Sequence, residues 1–265
     1  MADRQGSQRT PATASLPLSV VMIARNEAAR LGPVLEAVRF AAERIVVDGG
    51  SDDGTPELAA ELGATVNVRA DWEGFGRQKQ RALELATSPW VLSIDADELV
   101  TRELADEIAA TLASPSRDAY SIPRLNHLCG RPVRCAGWWP DRVLRLFRRG
   151  TARFSDDAVH ERLVHDGAVG RLRHPLIHDT YRSIADAERK LSRYAEEGAR
   201  SMFSRGRRCG PLAAPTRGGW MWLRSALLRG GMLGGRDGLA VSRLVALGTY
   251  LRYRRLAELT RGSRA

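Results

Sequence analysis

The sequence predicts an α/β protein built on a doubly wound, mostly parallel sheet, and two observations support this prediction. Segment 18–24 is a continuous apolar run rich in β-branched residues, as expected of a buried parallel strand, and further strands are predicted at 44–48, 65–69 and 90–95. Each segment is followed by a stretch with helical periodicity. Four alternations of strand and helix at short spacing argue against a β-sandwich and a helical bundle.

The helices between the strands have recognisable boundary residues. Pro33 suits the first turn of the first helix. Thr55 is predicted to be the N-cap of the second helix, with Pro56 at its first position and Gly63 at its end. Thr101 is predicted to start the fourth helix. The four helices are expected within 25–43, 55–63, 76–86 and 101–113.

The alternation stops after about residue 115. Segments 118–135 and 142–167 are predicted to be extended pieces joined by turns, and 183–204 is predicted to be a helix. One or two amphipathic helices are expected within 220–259. The polar stretch 1–16 is predicted to be a flexible tail. No run of about 18 apolar residues occurs, so no membrane-spanning helix is expected.

Composition and charge narrow the class of protein further. Hydrophobic residues make up 43% and charged residues 27% of the chain, which excludes a disordered protein and a bundle of membrane spans. The formal net charge is +10, and residues 201–265 hold thirteen Arg but only two acidic residues. Such a block usually faces a polyanion; the alternative is a solvated Arg-rich surface. The three cysteines fit neither a disulfide framework nor a zinc site, which favours a reducing compartment.

Acidic residues gather where the predicted strands end. The segments 25–27, 48–53 and 95–98 follow strands one, two and four, and in parallel sheets ligands bind beyond these ends. Asp95 and Asp97 would repel each other unless a cation lay between them. Mg²⁺ or Mn²⁺ prefers such oxygen ligands. The alternative is that Asp97 or Glu98 is merely an acid at the start of the next helix.

Three motifs, "SVVMIARNE", "IVVDGGSDDGT" and "WVLSIDADE", occur in an order and spacing that resemble the inverting family 2 glycosyltransferases with a GT-A fold, over about residues 17–180. The later "GWWPDRVLRLFRRGTARFSDDAVHERL" and "HDTYRS" resemble the branch that extends the lipopolysaccharide inner core, which includes β-glucosyltransferases. The resemblance implies a GT-A domain at 17–182, with a nucleotide-sugar half at 17–115 and an acceptor half at 116–182. Residues 183–265 would form a basic α-helical C-terminal extension.

The resemblance also implies roles for the residues at the strand ends. Asp48 would contact uracil or ribose. Many members of the family have a second Asp where this chain has Gly49, so the identity of the nucleobase stays open. Gln80 stands where the family commonly has Asn. The nucleotide-sugar contacts implied are Ala24, Glu27, Asp48, Lys79 and Asp95, and the metal ligands are Asp97, Asp95 and His178. A lone His such as His178 has the alternative of a structural role.

The catalytic base is assigned to one of two acids. An acceptor hydroxyl needs a base to take its proton, and the candidates are Glu161 and Asp141. Glu161 is preferred because His160 beside it can orient it; the alternative is a surface acid paired with Arg162 or Arg145.

Acceptor contacts are expected from nearby side chains. Trp138 and Trp139 would stack on a sugar ring, with packing as the alternative. Arg145 would face the diphosphate or acceptor phosphates. The full set of acceptor-binding candidates is Trp138, Trp139, Arg145 and His160.

The implied activity is metal-dependent transfer of a hexose, glucose by resemblance, from a UDP-sugar to a lipopolysaccharide core. The aromatic and Leu residues interleaved with Arg in 217–256 fit a helix lying on the anionic inner leaflet, so a cytoplasmic protein attached peripherally to the inner membrane is expected. The alternative is that these helices pack on the domain or on a second subunit. Rival functions are capsule, exopolysaccharide or polyprenyl-phosphate glycan assembly, and nucleic-acid binding. No nucleic-acid partner is expected, because acids crowd the cleft and no such motif is present.

Overall fold

The computed structural model describes residues 15–155 and 162–263. Within these residues a ten-stranded sheet and a separate two-stranded antiparallel sheet are formed. The strands in chain order are β1 (Leu16–Ala24), β2 (Ala41–Asp48), β3 (Thr65–Val68), β4 (Trp90–Ser93), β5 (Glu98–Val100), β6 (Ala119–Leu128), β7 (Arg131–Pro132), β8 (Asp141–Arg148), β9 (Ala152–Phe154), β10 (Leu163–His165), β11 (Val169–Arg171) and β12 (Leu176–Tyr181).

Helices alternate with the first strands and then dominate the end of the chain. They are α1 (Ala28–Ala37), α2 (Thr55–Glu61), α3 (Phe75–Glu84), α4 (Arg102–Ala113), α5 (Ile184–Ser204), α6 (Ala213–Leu223) and α7 (Gly235–Gly262). A π-helical turn at Arg224–Leu228 and a 3₁₀ turn at Met232–Gly234 connect α6 to α7. Within 15–155 and 162–263, no helix is long and apolar enough to cross a bilayer.

The sheet has the order β3-β2-β1-β4-β8-β6-β12-β5. The first four strands run parallel to one another, which confirms the parallel α/β sheet expected from the sequence. Beyond β4 the sheet becomes mixed, because β8 pairs antiparallel with both β4 and β6. The carboxyl ends of β1, β2 and β4 therefore lie side by side, with the antiparallel strands continuing the sheet next to them.

The central strands are buried on both faces, which explains their continuous apolar sequences. In β1, Val20 and Met22 belong to one core cluster with Leu31 and Leu35 of α1. Val21 points to the other face, where it belongs to a cluster with Phe147 and the α3 side chains. Because side chains alternate across a strand, a polar residue at any of these positions would be forced into one core or the other.

The helix boundaries confirm some sequence predictions and correct others. Thr101 is the N-cap of α4, where its side chain accepts a hydrogen bond from the Leu104 amide. The assignment of Thr55 as an N-cap is wrong, because Gly54 occupies that position and Thr55 begins α2. The Thr55 hydroxyl instead accepts from the Glu27 amide at 2.9 Å. This bond ties the start of α2 to the loop after β1.

The reading of Glu98 as the first acid of a helix is also wrong. Glu98 begins β5 and is fully buried, and α4 starts only at Arg102. The predicted tail 1–16 lies outside the described residues except for its last two positions. Of these, Leu16 already belongs to β1 and pairs with Ala41.

The C-terminal helices pack against one another and against the loop that follows β7. Val241 and Leu244 of α7 share a core cluster with Val133 and Ala136. Ser225 donates a hydrogen bond to the Ala136 carbonyl at 3.0 Å. The segment between α6 and α7 is therefore attached to the part of the chain that leads into β8.

Candidate active site

The site forms where β1, β2 and β4 end. Ala24 at the end of β1 lies opposite Asp48 at the end of β2, and β4 continues beside β1 into the Asp95–Glu98 turn. The amide of Ile94 still donates to the Val21 carbonyl at 3.1 Å. The three acidic segments predicted from the sequence therefore meet at one edge of the sheet.

Asp48 organises the loop after β2. Its side chain is fully buried, and its Oδ1 accepts hydrogen bonds from the amides of Gly50 and Ser51 at 2.9 and 2.8 Å. The Ser51 hydroxyl donates to Oδ2 at 2.5 Å. Gly50 has a φ of +82°, a left-handed conformation that glycine adopts without strain. Asp48 thus shapes the loop through which any nucleotide contact would be made.

The loop after β1 is joined to this loop. The Asn26 amide donates to the Ser51 hydroxyl at 2.8 Å, and the Asn26 side chain accepts from the Asp52 amide at 3.0 Å. The Ala24 carbonyl accepts from the Gly49 amide at 2.8 Å. Ala24 and Glu27, both predicted to lie near the nucleotide, are thereby held in a fixed position beside the β2 loop.

Asp95 is enclosed by two cations. Lys79 Nζ lies 2.7 Å from its Oδ1, and Arg145 Nη2 lies 2.6 Å from its Oδ2. Burial disfavours the charged carboxylate, but the positive charges of Arg145 and Lys79 outweigh burial and hold the pKa of Asp95 well below its usual range. Asp95 therefore stays ionised and holds Lys79 and Arg145 beside the turn that follows β4.

Glu98 lies beneath Asp95 and completes the same network. Its Oε1 accepts from Arg145 at 2.7 Å and from Arg124 at 3.2 Å, and its Oε2 accepts from the Asp95 amide at 3.1 Å. Arg145 is only 7% exposed. A direct acceptor contact, as predicted for Arg145, is not supported, because its guanidinium is buried and bound to Asp95 and Glu98.

Asp97 faces a histidine across the cleft. Its Oδ2 lies 3.6 Å from His178 Nε2 and 3.6 Å from Arg30 Nη1. Burial raises the pKa of Asp97, but the neighbouring His178 more than offsets this effect, and the net pKa is lowered. The other ring nitrogen of His178, Nδ1, lies 2.6 Å from Asn126 Oδ1. That contact orients the ring so that Nε2 points toward Asp97.

Glu27 lies on the other side of Asp97. Its Oε2 is 3.6 Å from Arg30 Nε. Burial raises the pKa of Glu27, and the charge of Asp97 raises it further, against the lowering effect of Arg30. Arg30 therefore sits between two carboxylates and partly neutralises both.

Asp141 lies close to this histidine through a shared asparagine. Its Oδ2 accepts from Arg124 Nε and Nη2 at 2.9 and 2.7 Å, and from Asn126 Nδ2 at 3.3 Å. Asn126 thus connects Asp141 to His178. The other base candidate, Glu161, and its neighbour His160 fall outside the described residues.

The two tryptophans have different surroundings. Trp138 packs against the C-terminal core cluster, with its ring 6.0 Å from that of Tyr181. Trp139 lies instead under the guanidinium of Arg134, at 5.3 Å, and lines a surface pocket. These placements favour packing for Trp138 and leave Trp139 accessible to a ligand.

With this geometry established, comparison with known proteins decides the family. Residues 19–134 match the glycosyl transferase family 2 domain. A glycosyltransferase of Rickettsia typhi, itself uncharacterised, is 30% identical over 260 residues, covering 93% of this chain and 89% of the relative. The chain belongs to glycosyltransferase family 2.

Two further comparisons describe what this family 2 glycosyltransferase is similar to. The lipopolysaccharide core biosynthesis glycosyltransferase LpsC of Rhizobium meliloti is 38% identical over 171 residues, which are 60% of this chain and 61% of the relative. The S. aureus TarS 1–349 structure in complex with UDP has a TM-score of 0.50 at 15% identity, covering 94% of this chain and 92% of that one. Together with the family match, this similarity confirms the GT-A fold.

Several residues at the site of this glycosyltransferase were missed by sequence reasoning. Glu98, Arg124, Asn126 and Arg30 hold or flank the predicted residues. Arg30 had a detectable signal, since it lies three positions after Glu27 on a helix and so faces the same side. Arg124 and Asn126 had no detectable sequence signal, because their contacts depend on β6 lying beside β8 and β12.

Proposed function

We propose that this family 2 glycosyltransferase moves a hexose, glucose in the first instance, from a UDP-sugar to a lipopolysaccharide core, with a divalent metal and with inversion. The pairing of Asp97 with an oriented His178 beside the Lys79–Asp95–Arg145 network carries the proposal. A negatively charged leaving group needs positive charge at this edge of the sheet. The motif resemblance supports the donor class, and the similarity to LpsC supports the acceptor class.

The residues present fit a divalent metal. No cluster of three or more His, Cys, Asp or Glu suited to a metal occurs in 15–155 and 162–263. Mg²⁺ and Mn²⁺ nevertheless need only one or two protein ligands when substrate phosphates supply the others. Asp97 would hold the metal together with His178. The other ring nitrogen of His178 contacts Asn126, and metal-binding histidines usually have such a hydrogen-bonded partner that fixes the ring. When bound, the metal would stabilise negative charge on the diphosphate.

The side chains around Asp95 would bind the donor. Lys79 is 8% exposed and would approach the diphosphate while it keeps its contact with Asp95. Asp95 would meet the ribose from the same turn. The loop built by Asp48 would face the nucleoside. These fixed charges exist before the donor arrives, so little reorganisation is required as negative charge develops.

The chemical step is a single displacement. The acceptor hydroxyl oxygen attacks the anomeric carbon from the face opposite the diphosphate. The C–O bond to the diphosphate breaks, its electron pair leaves with the diphosphate, and the hydroxyl proton passes to a carboxylate base. We assign the base to Glu161, with Asp141 as the alternative. The Asp141 Oδ2 is already engaged by Arg124 and Asn126, which suits a positioning role.

Two isosteric variants distinguish these acids. Glu161→Gln should bind the donor normally but transfer sugar about 10²–10⁴-fold more slowly, because the amide cannot take the proton. Asp141→Asn should be much less affected. The measurements are release of nucleoside diphosphate for transfer and donor-induced thermal shift for binding. The opposite pattern would make Asp141 the base, and normal transfer by both would remove both assignments.

The test of the whole proposal is a panel of nucleotide-sugars with purified protein, Mg²⁺ or Mn²⁺, and a truncated lipopolysaccharide core. We expect release of UDP that depends on metal, donor and acceptor together. Activity on a polyprenyl phosphate or a capsular saccharide, with none on the core, would favour the rival family 2 functions. Lack of transfer with every donor would contradict the proposal.

We also propose that the protein docks on the anionic inner leaflet through the segment between α6 and α7. We call residues 227–233 the apolar turn; its side chains include Leu228, 73% exposed, and Leu233, 94% exposed. Residues 201–236 contain seven Arg and no acidic residue. Exposed apolar side chains beside arginines complement a bilayer with negative headgroups.

Membrane docking predicts a lipid-specific and salt-sensitive interaction. The protein should float with vesicles of phosphatidylcholine and phosphatidylglycerol at low salt and dissociate at high salt. The double variant Leu228→Ser, Leu233→Ser should bind at least about tenfold more weakly, since burying one Leu contributes about 1.5–3 kcal/mol. The control is Leu85→Ser, which alters an exposed Leu at the C-cap of α3. Equal binding of all three proteins would exclude the apolar turn as the docking element.

A further inference from the structure

A pocket of about 340 Å³ opens beside the site, at the junction of the β7–β8 loop and the C-terminal helices. It is lined by Arg134, Cys135, Gly137, Trp139, Pro140 and Arg229. Its size is at the lower end of the range of small-ligand sites. Two of its six lining residues are cationic, one is a tryptophan, and none is acidic. The pocket therefore combines positive charge with an aromatic ring.

The two arginines have no carboxylate partner among the described residues. No acidic side chain in 15–155 or 162–263 forms an ion pair with Arg134 or Arg229, although most other cations at the site have one. The Cζ of Arg134 instead lies over the ring of Trp139, 5.3 Å from its centroid. A cation–π contact uses none of the N–H donors of the guanidinium, which therefore remain able to meet an oxyanion.

The protein also makes specific room for Arg229. Gly137 has a φ of +83°, and a Cβ there would lie 2.4 Å from Arg229 Nη1 and 2.5 Å from its Cδ. The Arg229 carbonyl accepts from the Ala136 amide at 2.8 Å. The backbone of Arg229 is therefore bound to the loop at Ala136. The side chain of Arg229 lies directly against Gly137, where any larger residue would collide with it.

The pocket lies next to residues of the candidate active site on one side and next to the proposed membrane-docking segment on the other. Pro140 directly precedes Asp141, and the Trp138 carbonyl accepts from Asn126, the residue that orients His178. Arg229 itself lies within the apolar turn, directly after Leu228. An acceptor saccharide anchored in a bilayer under that turn would pass this pocket before its hydroxyl reached the site.

We propose that this arginine pocket binds an anionic group, a phosphate or a carboxylate, on the acceptor saccharide, with Trp139 against the sugar ring. The inference rests on the proposed function, because it names a feature of the acceptor. Arg recognises phosphate and carboxylate by paired hydrogen bonds. The pocket would then select acceptors by their charge.

The test uses the full chain and deacylated lipopolysaccharide core oligosaccharide in three forms: untreated, phosphatase-treated, and amidated at its carboxylates. Binding is followed by calorimetry, and transfer by diphosphate release. Arg134→Gln and Arg229→Gln should each weaken binding of the untreated form about tenfold and raise KM by the same factor with kcat unchanged. Arg149→Gln, an exposed arginine outside the pocket, should change neither.

Chemical treatment identifies the anionic group. Wild-type affinity should fall after whichever treatment removes that group, and the two pocket variants should not respond to it. Equal affinity for all three forms would overturn the proposal. Loss of vesicle binding by the variants with unchanged oligosaccharide affinity would also overturn it and assign the pocket to a lipid headgroup. Tight, charge-dependent oligosaccharide binding without any transfer would contradict the proposed function and leave the pocket standing.

Discussion

Replacing Asp97 by alanine should lower the rate of transfer by about a thousandfold and leave the protein folded. In the proposed site Asp97 is the carboxylate that holds the metal, and a metal at a diphosphate contributes several kcal/mol to stabilising the leaving charge. Three orders of magnitude correspond to ~4 kcal/mol of transition-state stabilisation. Diphosphate release at saturating donor and metal measures the effect.

The fold should tolerate this change because Asp97 supports little of it. Its side-chain partners, Arg30 and His178, lie 3.6 Å away, beyond ordinary hydrogen-bond length. We expect the variant to stay folded, because Arg30 keeps Glu27 as a second carboxylate neighbour. Asp106→Ala, at an exposed position on α4, is the matched control and should keep full activity. Full activity of Asp97→Ala would instead remove the residue from the mechanism.

A metal titration of the wild type, Asp97→Ala and His178→Ala separates metal binding from catalysis. Wild-type protein with UDP should gain thermal stability with Mn²⁺, and Asp97→Ala should not, because its ligand is gone. His178→Ala should show the gain only at higher Mn²⁺ concentration. Equal responses from all three would show that neither side chain holds the metal.

Replacing Glu98 by alanine should destabilise the protein by about 3–5 kcal/mol, the range for breaking a buried ion pair. Glu98 is fully buried and accepts from Arg145 and Arg124. Without Glu98, the buried charge of Arg145 keeps only Asp95 as a carboxylate partner. The Nε of Arg145 already lacks a hydrogen-bond partner among the described residues. The substitution also removes the acceptor for the Asp95 amide. Urea unfolding followed by circular dichroism measures the loss.

The comparison with Glu98→Gln isolates the charge. Gln keeps the volume and one acceptor, so its cost should be smaller, about 1.5–3 kcal/mol for hydrogen bonds to a charged group. Asp106→Asn should stay within about 0.5 kcal/mol of the wild type, as surface substitutions usually do. If Glu98→Ala were as stable as that control, the Asp95–Arg145–Glu98 network would not hold the turn after β4.

Much of the first half of the chain was predictable because its signals are local. The apolar runs at 18–24 and 90–95 became β1 and β4, and Thr101 caps α4 as its neighbours suggest. Strand-end acids meet because parallel strands share a direction. The N-cap prediction for Thr55 was wrong because a Thr hydroxyl can accept either from the first turn of its own helix or from a distant amide. Here it accepts from the Glu27 amide.

The second half was less predictable because its structure depends on distant pairings. Asn126 orients His178 only because β12 lies parallel to β6 in the register that places these residues opposite each other. Arg145 reaches Asp95 because β8 follows β4 in the sheet. No short-range pattern in 116–182 specifies which of these strands become neighbours.

The sequence by itself determined the parallel α/β half, the edge at which its acids collect, and the concentration of arginine near the C-terminus. Each of these follows from periodicity, strand direction or simple charge counting. Only the tertiary structure decided that Asp95 and Glu98 share Arg145 in a buried network, and that Asp97 faces an oriented His178. It also decided that Arg134 and Arg229, 95 positions apart, flank one pocket. These arrangements require long-range contacts, whose partners are selected by packing rather than by local sequence.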